Sequence, residues 1–486
     1  MPKQFFTYKS LEDLKRDAER LGIELPLVED REEIKSLLGK PVELANAGGR
    51  RWRIGNSLAI HPMEGCDGEP DGRPGELTFR RYQRFGSGGA KLLWFEACAV
   101  VPEGRANPRQ LWIHSGSAKA LKDLLEDCRR CHEREFGSRE GLVCVLQLTH
   151  SGRYSFERQV VAYEHPILDK YPYANLVSLP PRSGVWSIAT DEYLAALEGR
   201  FAEAVALARE IGFDGVDIKM THGYLLAEIL SARSRSGPYG GPLENRARLA
   251  LNILAKIRVR VGDDFLLATR LGVYDGVPYA VDADGSSGVP RSHQTPYLSG
   301  FGVNPKNPYE PDLTEPLRLI GWLRDAGVRL LNVSMGNPYV NPHIGRPFEK
   351  PNEGAYYQPE HPLVGVNRHF QATARIQSAF PDLAVVGTGY SWLQHFLINA
   401  AAANIKLGRV RLVGVGRGAL AYPQFARDAL AKGELDPRQT CKTLSYCTYL
   451  MRQKKHPLGQ FPTGCPPFDK DGYGAVMKEA RTAARK

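Results

Sequence analysis

LAVVGTG (residues 383–389) and VRLVGVGRG (residues 410–418) follow one plan, a continuous apolar run that ends in glycines. Runs that are apolar at every position belong to strands covered on both faces. Six earlier runs share this character: NSLAIHPM (56–63), KLLWFEACAV (91–100), VCVLQLTH (143–150), GVDIKMTH (215–222), FLLATRLG (265–272) and LLNVSMG (330–336). Amphipathic helical stretches separate them, among them TDEYLAALEGRFAEAVALAREIG from residue 190 and GPLENRARLALNILAKIRVRVG from residue 241. Eight strands in such alternation predict an α/β fold, a (β/α)8 TIM barrel. An open doubly wound sheet alternates in the same way. Polar residues and glycines gather at the C-terminal ends of the runs, which favours the barrel, because barrels build their sites on that face.

The flanks read differently. Residues 1–40 suggest an N-terminal helical extension of two short helices, residues 41–434 the barrel, and residues 435–486 a partly helical C-terminal tail. Two connections are long, 151–189 (rich in Tyr, Pro and Arg) and 275–313 (rich in Gly, Pro, Ser and Asn). Long connections of this kind are expected to act as lid or binding segments.

The chain has 486 residues, 42% apolar and 24% charged, which suits a globular protein with a large core. No run approaches the roughly 20 apolar residues that a membrane-spanning helix needs. MPKQFFTYKS lacks the apolar core of a secretory leader, so a cytoplasmic protein is expected. The formal charge of +10 is scattered, with short clusters at Arg50–Arg53 and Arg452–Lys455 that read as solvated surface. A basic balance also attracts phosphorylated ligands, whereas no nucleic-acid module is present. Among eight cysteines, Cys98 and Cys144 lie in strand-like runs as small hydrophobes, and Cys128-x-x-Cys131 stands alone, so neither a disulfide framework nor a metal site is expected.

The strand ends point to an anionic ligand. GTG at 387–389 and GVGRG at 414–418 end the last two strands, where barrels commonly seat phosphate, and Arg417 adds a charge-assisted donor. Tight turns alone would also use glycines, but two such turns on adjacent strands with an arginine favour phosphate. Glu64, Gln147, His150, Lys219 and His222 follow other strands at the same end, and Arg270 sits within the fifth run. A cation inside an apolar strand needs a partner or a cavity. Any one could be a structural ion pair; together they argue for a site.

Several tracts, in order between residues 50 and 430, resemble the old yellow enzyme family, in the branch of bacterial 2,4-dienoyl-CoA reductase and trimethylamine dehydrogenase. They are HPMEG with DGRPGELTFRRYQRFGSGGAKLLWFEACAVVPEGR, QLTHSGR, GFDGVDIKMTHGYLLAEILSARSRSGPYGGPLENRAR, TRLG, VVGTG and VGVGRGALAYP. The resemblance implies FMN as cofactor and NADH or NADPH as electron donor. Pro62, Met63, Glu64 and Ala97 match positions that pack on the flavin ring, and Gln147 the residue that bonds its pyrimidine edge. Arg270 matches the cation near flavin N1 and O2, and Gly387, Gly389, Gly416 and Arg417 match the phosphate cradle. At the fourth strand the family places His-x-x-His or His-x-x-Asn, which holds the oxygen of an unsaturated substrate. Hydride passes from flavin N5 to the β-carbon, and a tyrosine protonates the α-carbon. Here the pair reads Lys219 and His222, with Tyr224 in the tyrosine position.

The sequence departs from that pattern in four places. Lys219 replaces the first histidine, where it can stabilise an enolate oxygen or bind a carboxylate. Glu64 stands where a small residue or Thr is usual, and a carboxylate there is expected to pair with Lys219, directly or through the substrate. The tail aligns Thr440 and Thr443 with the first two ligands of the branch's [4Fe–4S] site, and Cys465 falls 18 positions after Cys447, so no cluster is expected; Cys441 is left over. The tract after HGYLL lacks the usual Asn-x-Arg-x-Asp before YGG, so substrate size does not carry over from the relatives. No G-x-G-x-x-G follows a strand in the tail, so electrons from NAD(P)H are expected at the same flavin. The function expected is therefore an FMN-dependent ene-reductase with a small-molecule substrate. The alternatives are an oxidative dehydrogenase or demethylase that passes electrons to a separate partner, and a ligand-binding barrel without turnover. Self-association into a homo-oligomer is expected.

Overall fold

A computed structural model describes the chain except for residues 1–3, 46–48, 171–185, 286, 353–354, 454 and 486. Eight parallel strands close into one barrel: β1 (Leu58–Ile60), β2 (Leu92–Ala99), β3 (Val143–Thr149), β4 (Gly215–Ile218), β5 (Leu266–Gly272), β6 (Leu330–Ser334), β7 (Ala384–Gly387) and β8 (Leu412–Val415). β8 pairs with β1, Val413 opposite Leu58, which completes the ring. The eight runs expected as strands are these eight, most of them trimmed at one or both ends.

The pleat sorts each strand's residues into two cores. Leu93, Phe95, Cys144 and Leu146 face the surrounding helices. Leu92, Trp94, Val143, Val145, Leu266, Ala268, Leu330 and Leu412 fill the barrel interior. Continuing the same inward alternation toward the C-terminal ends brings Gln147 on β3, Asp217 on β4, Arg270 on β5 and Asn332 on β6 into one polar layer. The register agrees, with Gln147 opposite Asp217 and Arg270 opposite Asn332.

The outer helices are capped. Thr190 accepts from Tyr193 N at the start of Asp191–Ile211, and Gly212 ends that helix at φ 109°. Two helices, Leu11–Arg20 and Arg31–Leu38, precede the barrel strands. One feature was not foreseen: Val42–Ala45 and Arg51–Ile54 make an antiparallel ladder whose Val42, Leu44, Trp52 and Ile54 join the interior core. Half of the basic cluster at 50–53 is thus a plug strand with alternating burial.

Of the two long connections, Gln159–Val161 pairs with Trp186–Ile188, and Tyr279–Val281 with Gly288–Pro290. Part of the first, 171–185, lies outside the described residues. In the tail, the helices Tyr446–Arg452 and Lys470–Arg485 fold back onto the barrel. Asp469, at the foot of the second, takes ion pairs from Arg80 and Arg84 of the helix Glu76–Gly86. Among the described residues no helix is long and apolar enough to cross a membrane.

Candidate active site

The polar layer floors a cavity of about 1240 Å³, its mouth included, at the C-terminal end of the barrel. Asp217 organises the floor. Its carboxylate accepts from Gln147 Nε2 at 2.6 Å, Trp94 Nε1 at 2.9 Å and the backbone N–H of Arg270 at 2.6 Å. With Nε2 committed there, the Gln147 amide can meet a ligand through Oε1. Arg270 is 7% exposed, and its Nε has no hydrogen-bond partner. Burial draws this guanidinium down to about 10, against the pull of Asp217.

β2 bends to form the next wall. Its pairing with β3 shifts register between Phe95 and Cys98. The irregularity sends Glu96 to Arg81 behind the strand and leaves Ala97 on the cavity. Pro62, Met63 and Glu64, just past β1, complete that side. His61 bridges to β6 and β7: Asn332 Nδ2 donates to its Nδ1 at 3.0 Å, and its Nε2 lies 3.3 Å from Thr388 Oγ1.

Past β4 the chain turns sharply. His222 takes φ 66° and Gly223 φ 68°, so two consecutive residues occupy the left-handed region. For histidine that conformation is strained, and strain of this kind gathers at functional sites. The turn brings Lys219, His222 and Tyr224 together onto the cavity. Burial, then the charges of Arg270 and Lys219, hold the His222 imidazole neutral, with its pKa well below the usual range. Burial lowers the Lys219 ammonium to about 8, opposed by Glu64. Lys219 Nζ lies 3.7 Å from the centroid of the Tyr224 ring, a close cation–π contact. Tyr224 Oη lies 3.4 Å from Glu64 Oε2 and 3.1 Å from Tyr339 Oη, and Asn107 Nδ2 donates to Glu64 Oε1 at 2.9 Å. Burial raises the Glu64 carboxyl, with Lys219 acting against the rise.

Opposite lie the glycine turns. A Cβ on Gly414 would fall 2.1 Å from His61 Cε1, and one on Gly416 2.9 Å from Met63 Sδ. Gly389 (φ 102°), Gly416 and Arg417 all line the cavity. Arg417 Nη2 donates to Pro347 O at 2.7 Å, while Nη1 is buried and unpartnered.

Two expectations need correction, and a third loses one of its two forms. Gly387 does not face the cavity; it is packed against the outer layer, where a Cβ would meet Val410 Cγ1 at 3.0 Å and Tyr390 Oη at 3.1 Å. His150 is buried away from the site, bonded to Tyr193 Oη at 2.8 Å and Gly152 N at 3.0 Å. Glu64 and Lys219 form no direct ion pair; they attract at longer range, with Tyr224 against both.

Residues 50–284 match the family described as NADH:flavin oxidoreductase / NADH oxidase. The match spans just under half of the chain and makes it similar to that family. An NADPH dehydrogenase from Halalkalibacterium halodurans is 25% identical over 287 residues, which are 58% of this chain and 69% of that protein. A dimethylamine dehydrogenase from Hyphomicrobium sp. (strain x) is 24% identical over 79% of this chain, but those residues span only 45% of its own length. The barrel superposes on the old yellow enzyme from Trypanosoma cruzi with a TM-score of 0.57 at 18% identity, covering 83% of this chain and 95% of the other. The chain thus shares the barrel fold of the old yellow enzyme and, over just under half of its length, is similar to the flavin oxidoreductases.

Several residues at this cavity were not anticipated. Tyr339, Arg346 and Pro347 reach it from the connection after β6, and Cys447, Thr448, Met451, Arg452 and Thr463 from the tail. Cys447 also borders a second cavity shared with Cys441 and Cys465.

Proposed function

We propose that this flavin oxidoreductase uses FMN to reduce an activated C=C bond with electrons from NADH or NADPH. The observation that carries the proposal is the convergence, on one cavity, of the Lys219–His222–Tyr224 cluster, Arg270 and the Gly389–Gly416–Arg417 turn.

The residues suit the cofactor. Gly389, Gly416 and Arg417 line the cavity, and Arg417 Nη1 and Arg270 Nε are buried donors without partners. Gly389, Gly416 and Arg417 would hold the phosphate, with the guanidinium supplying charge-assisted bonds. Gln147 Oε1, Ala97 and Met63 would meet the ring system, and Arg270 would set a positive charge beside it. When bound, FMN supplies two-electron transfer to and from small organic molecules.

The remaining steps belong to the protein. Lys219, charged below about pH 8, and neutral His222 both present N–H donors to a substrate carbonyl oxygen. Two donors on one oxygen stabilise the negative charge that gathers there as the double bond is reduced. Tyr224 keeps its proton, since burial and then Glu64 push its phenol far above the usual range. It can therefore act as a general acid toward the α-carbon, with Tyr339 bonded behind it as the route of resupply.

A cationic amine substrate, as an oxidative reading would require, fits poorly. Five cations line the cavity, Lys219, Arg270, Arg346, Arg417 and Arg452, against the single carboxylate of Glu64. Anaerobic titration of the purified flavoprotein with NADPH and with NADH, following the visible flavin band, tests the proposal. Bleaching by either, and its reversal by an enone, is expected. A flavin that stays oxidised would overturn the reductive reading.

A further inference from the structure

The cavity holds more positive charge than a phosphate and a flavin ring call for. Arg417 sits beside the glycine turns, where a phosphate accounts for it, and Arg270 stands on the floor beside Gln147. Arg452 lies elsewhere. It ends the tail helix Tyr446–Arg452 and extends its guanidinium over the Tyr339 ring, 4.6 Å from the centroid. Its charge acts on Tyr339, Tyr154 and Tyr224, whereas that of Arg417 acts on Cys441 and Cys447. Arg452 thus stands against the Tyr339 ring, and Arg417 beside the glycine turns.

Arg452 is only half tied. Nη2 donates to Pro338 O at 3.0 Å, but Nη1 is buried and has no hydrogen-bond partner. None of the described carboxylates forms an ion pair with it, Glu64 acts on it only at longer range, and half-buried Arg346, within reach of Arg452 and Arg417, adds like charge. An unpartnered guanidinium edge in a desolvated site is costly unless an anion completes it. That edge stands beside the tyrosine pair whose hydroxyls are 3.1 Å apart.

We infer that the substrate carries a carboxylate, and that Arg452 is the specificity-determining residue that binds it. The inference deepens the proposed reduction and rests on it: the acid would be an unsaturated carboxylate or a carboxylate-bearing enone. A carboxylate on Nη1 places the neighbouring carbons beside Tyr224 and Lys219. A second phosphate is the competing source of anionic charge, one carried by NADPH.

The test uses the flavin-loaded protein and two matched pairs, crotonate with crotonamide and cinnamate with cinnamamide. Affinities are measured by calorimetry, which needs no turnover. At least one acid is expected to bind about 10-fold or more tighter than its amide, as hydrogen bonds to charged groups predict. Arg452→Gln should erase that preference and leave amide affinity and flavin content unchanged, and Arg452→Lys should restore part of it. Equal affinity for acid and amide in the parent protein overturns the inference, as does the absence of binding by either acid. So does an Arg452→Gln variant that weakens acids and amides alike, or one that weakens NADPH alone. Loss of reduction by NAD(P)H with the acid preference intact would instead refute the proposed reaction and leave the carboxylate site standing.

Discussion

Lys219 Nζ rests 3.7 Å from the centre of the Tyr224 ring, and the hydroxyl of that ring is what meets Glu64. The phenol thus stands between a buried ammonium and a carboxylate. Each charge is moderated through the ring, so neither is neutralised by a direct pair.

Lys219 should therefore set a basic limb in the pH profile. If its protonated form holds the substrate oxygen, kcat/KM falls as pH rises through about 8. Lys219→Arg should shift that limb beyond the accessible range, and Lys219→Met should lower kcat/KM by about 100-fold or more. The same change should stabilise the fold at neutral pH by about 1–3 kcal/mol, since it removes a buried, unpaired charge. The sign follows from the shift: folding lowers the lysine pKa, so the protonated side chain opposes folding below about pH 8, and stability rises with pH above it. Denaturant melts of the parent and Lys219→Met proteins at pH 7 and pH 10 check this, and their difference should shrink at the higher pH.

Tyr224→Phe separates the two halves of the reaction. It removes the proton donor but keeps the ring under Lys219. Bleaching of the flavin by NADPH should be unchanged in stopped-flow traces, while reoxidation by an enone slows by about 100- to 10,000-fold.

Asp217 is a structural hub. Asp217→Ala strands the donors of Trp94, Gln147 and Arg270 in the barrel interior. About 3–5 kcal/mol of stability should be lost, as when one partner leaves a buried charged network, with weaker flavin retention. Chemical denaturation and flavin content after dialysis measure the two effects.

The glycine turns should differ in tolerance. Gly414→Ala drives a methyl into the His61 ring, which Asn332 and Thr388 hold in place, so folded, flavin-bearing protein should fall sharply. Gly416→Ala meets only the flexible end of Met63 and should cost about 1–3 kcal/mol at most. Yields of flavin-loaded protein from parallel purifications compare them.

Strands buried on both faces were legible because short apolar runs recur eight times between amphipathic helical stretches. The inward alternation within β3 and β5 then made Gln147 and Arg270 conspicuous. Gly387 misled because a glycine-rich turn reveals permissive backbone but not the side of the strand it opens toward. His150 misled because a polar residue at a strand end reads the same whether it faces the cavity or the helices. Arg452 was invisible for a different reason: in KK-flanked sequence it is indistinguishable from solvated charge, and only the return of the tail across the barrel mouth shields its Nη1 from solvent. Trp52 and Ile54 were hidden by the arginines between them.

The tail lends the cavity five side chains and is pinned below by Asp469 against Arg80 and Arg84. The binding site is thus a seam between the barrel and the last segment of chain. A ligand that grips both sides works as a clasp, since its binding energy also holds that segment down. Protease resistance across residues 435–486 would then rise with occupancy, and the digestion pattern would report site saturation without any optical signal from the flavin.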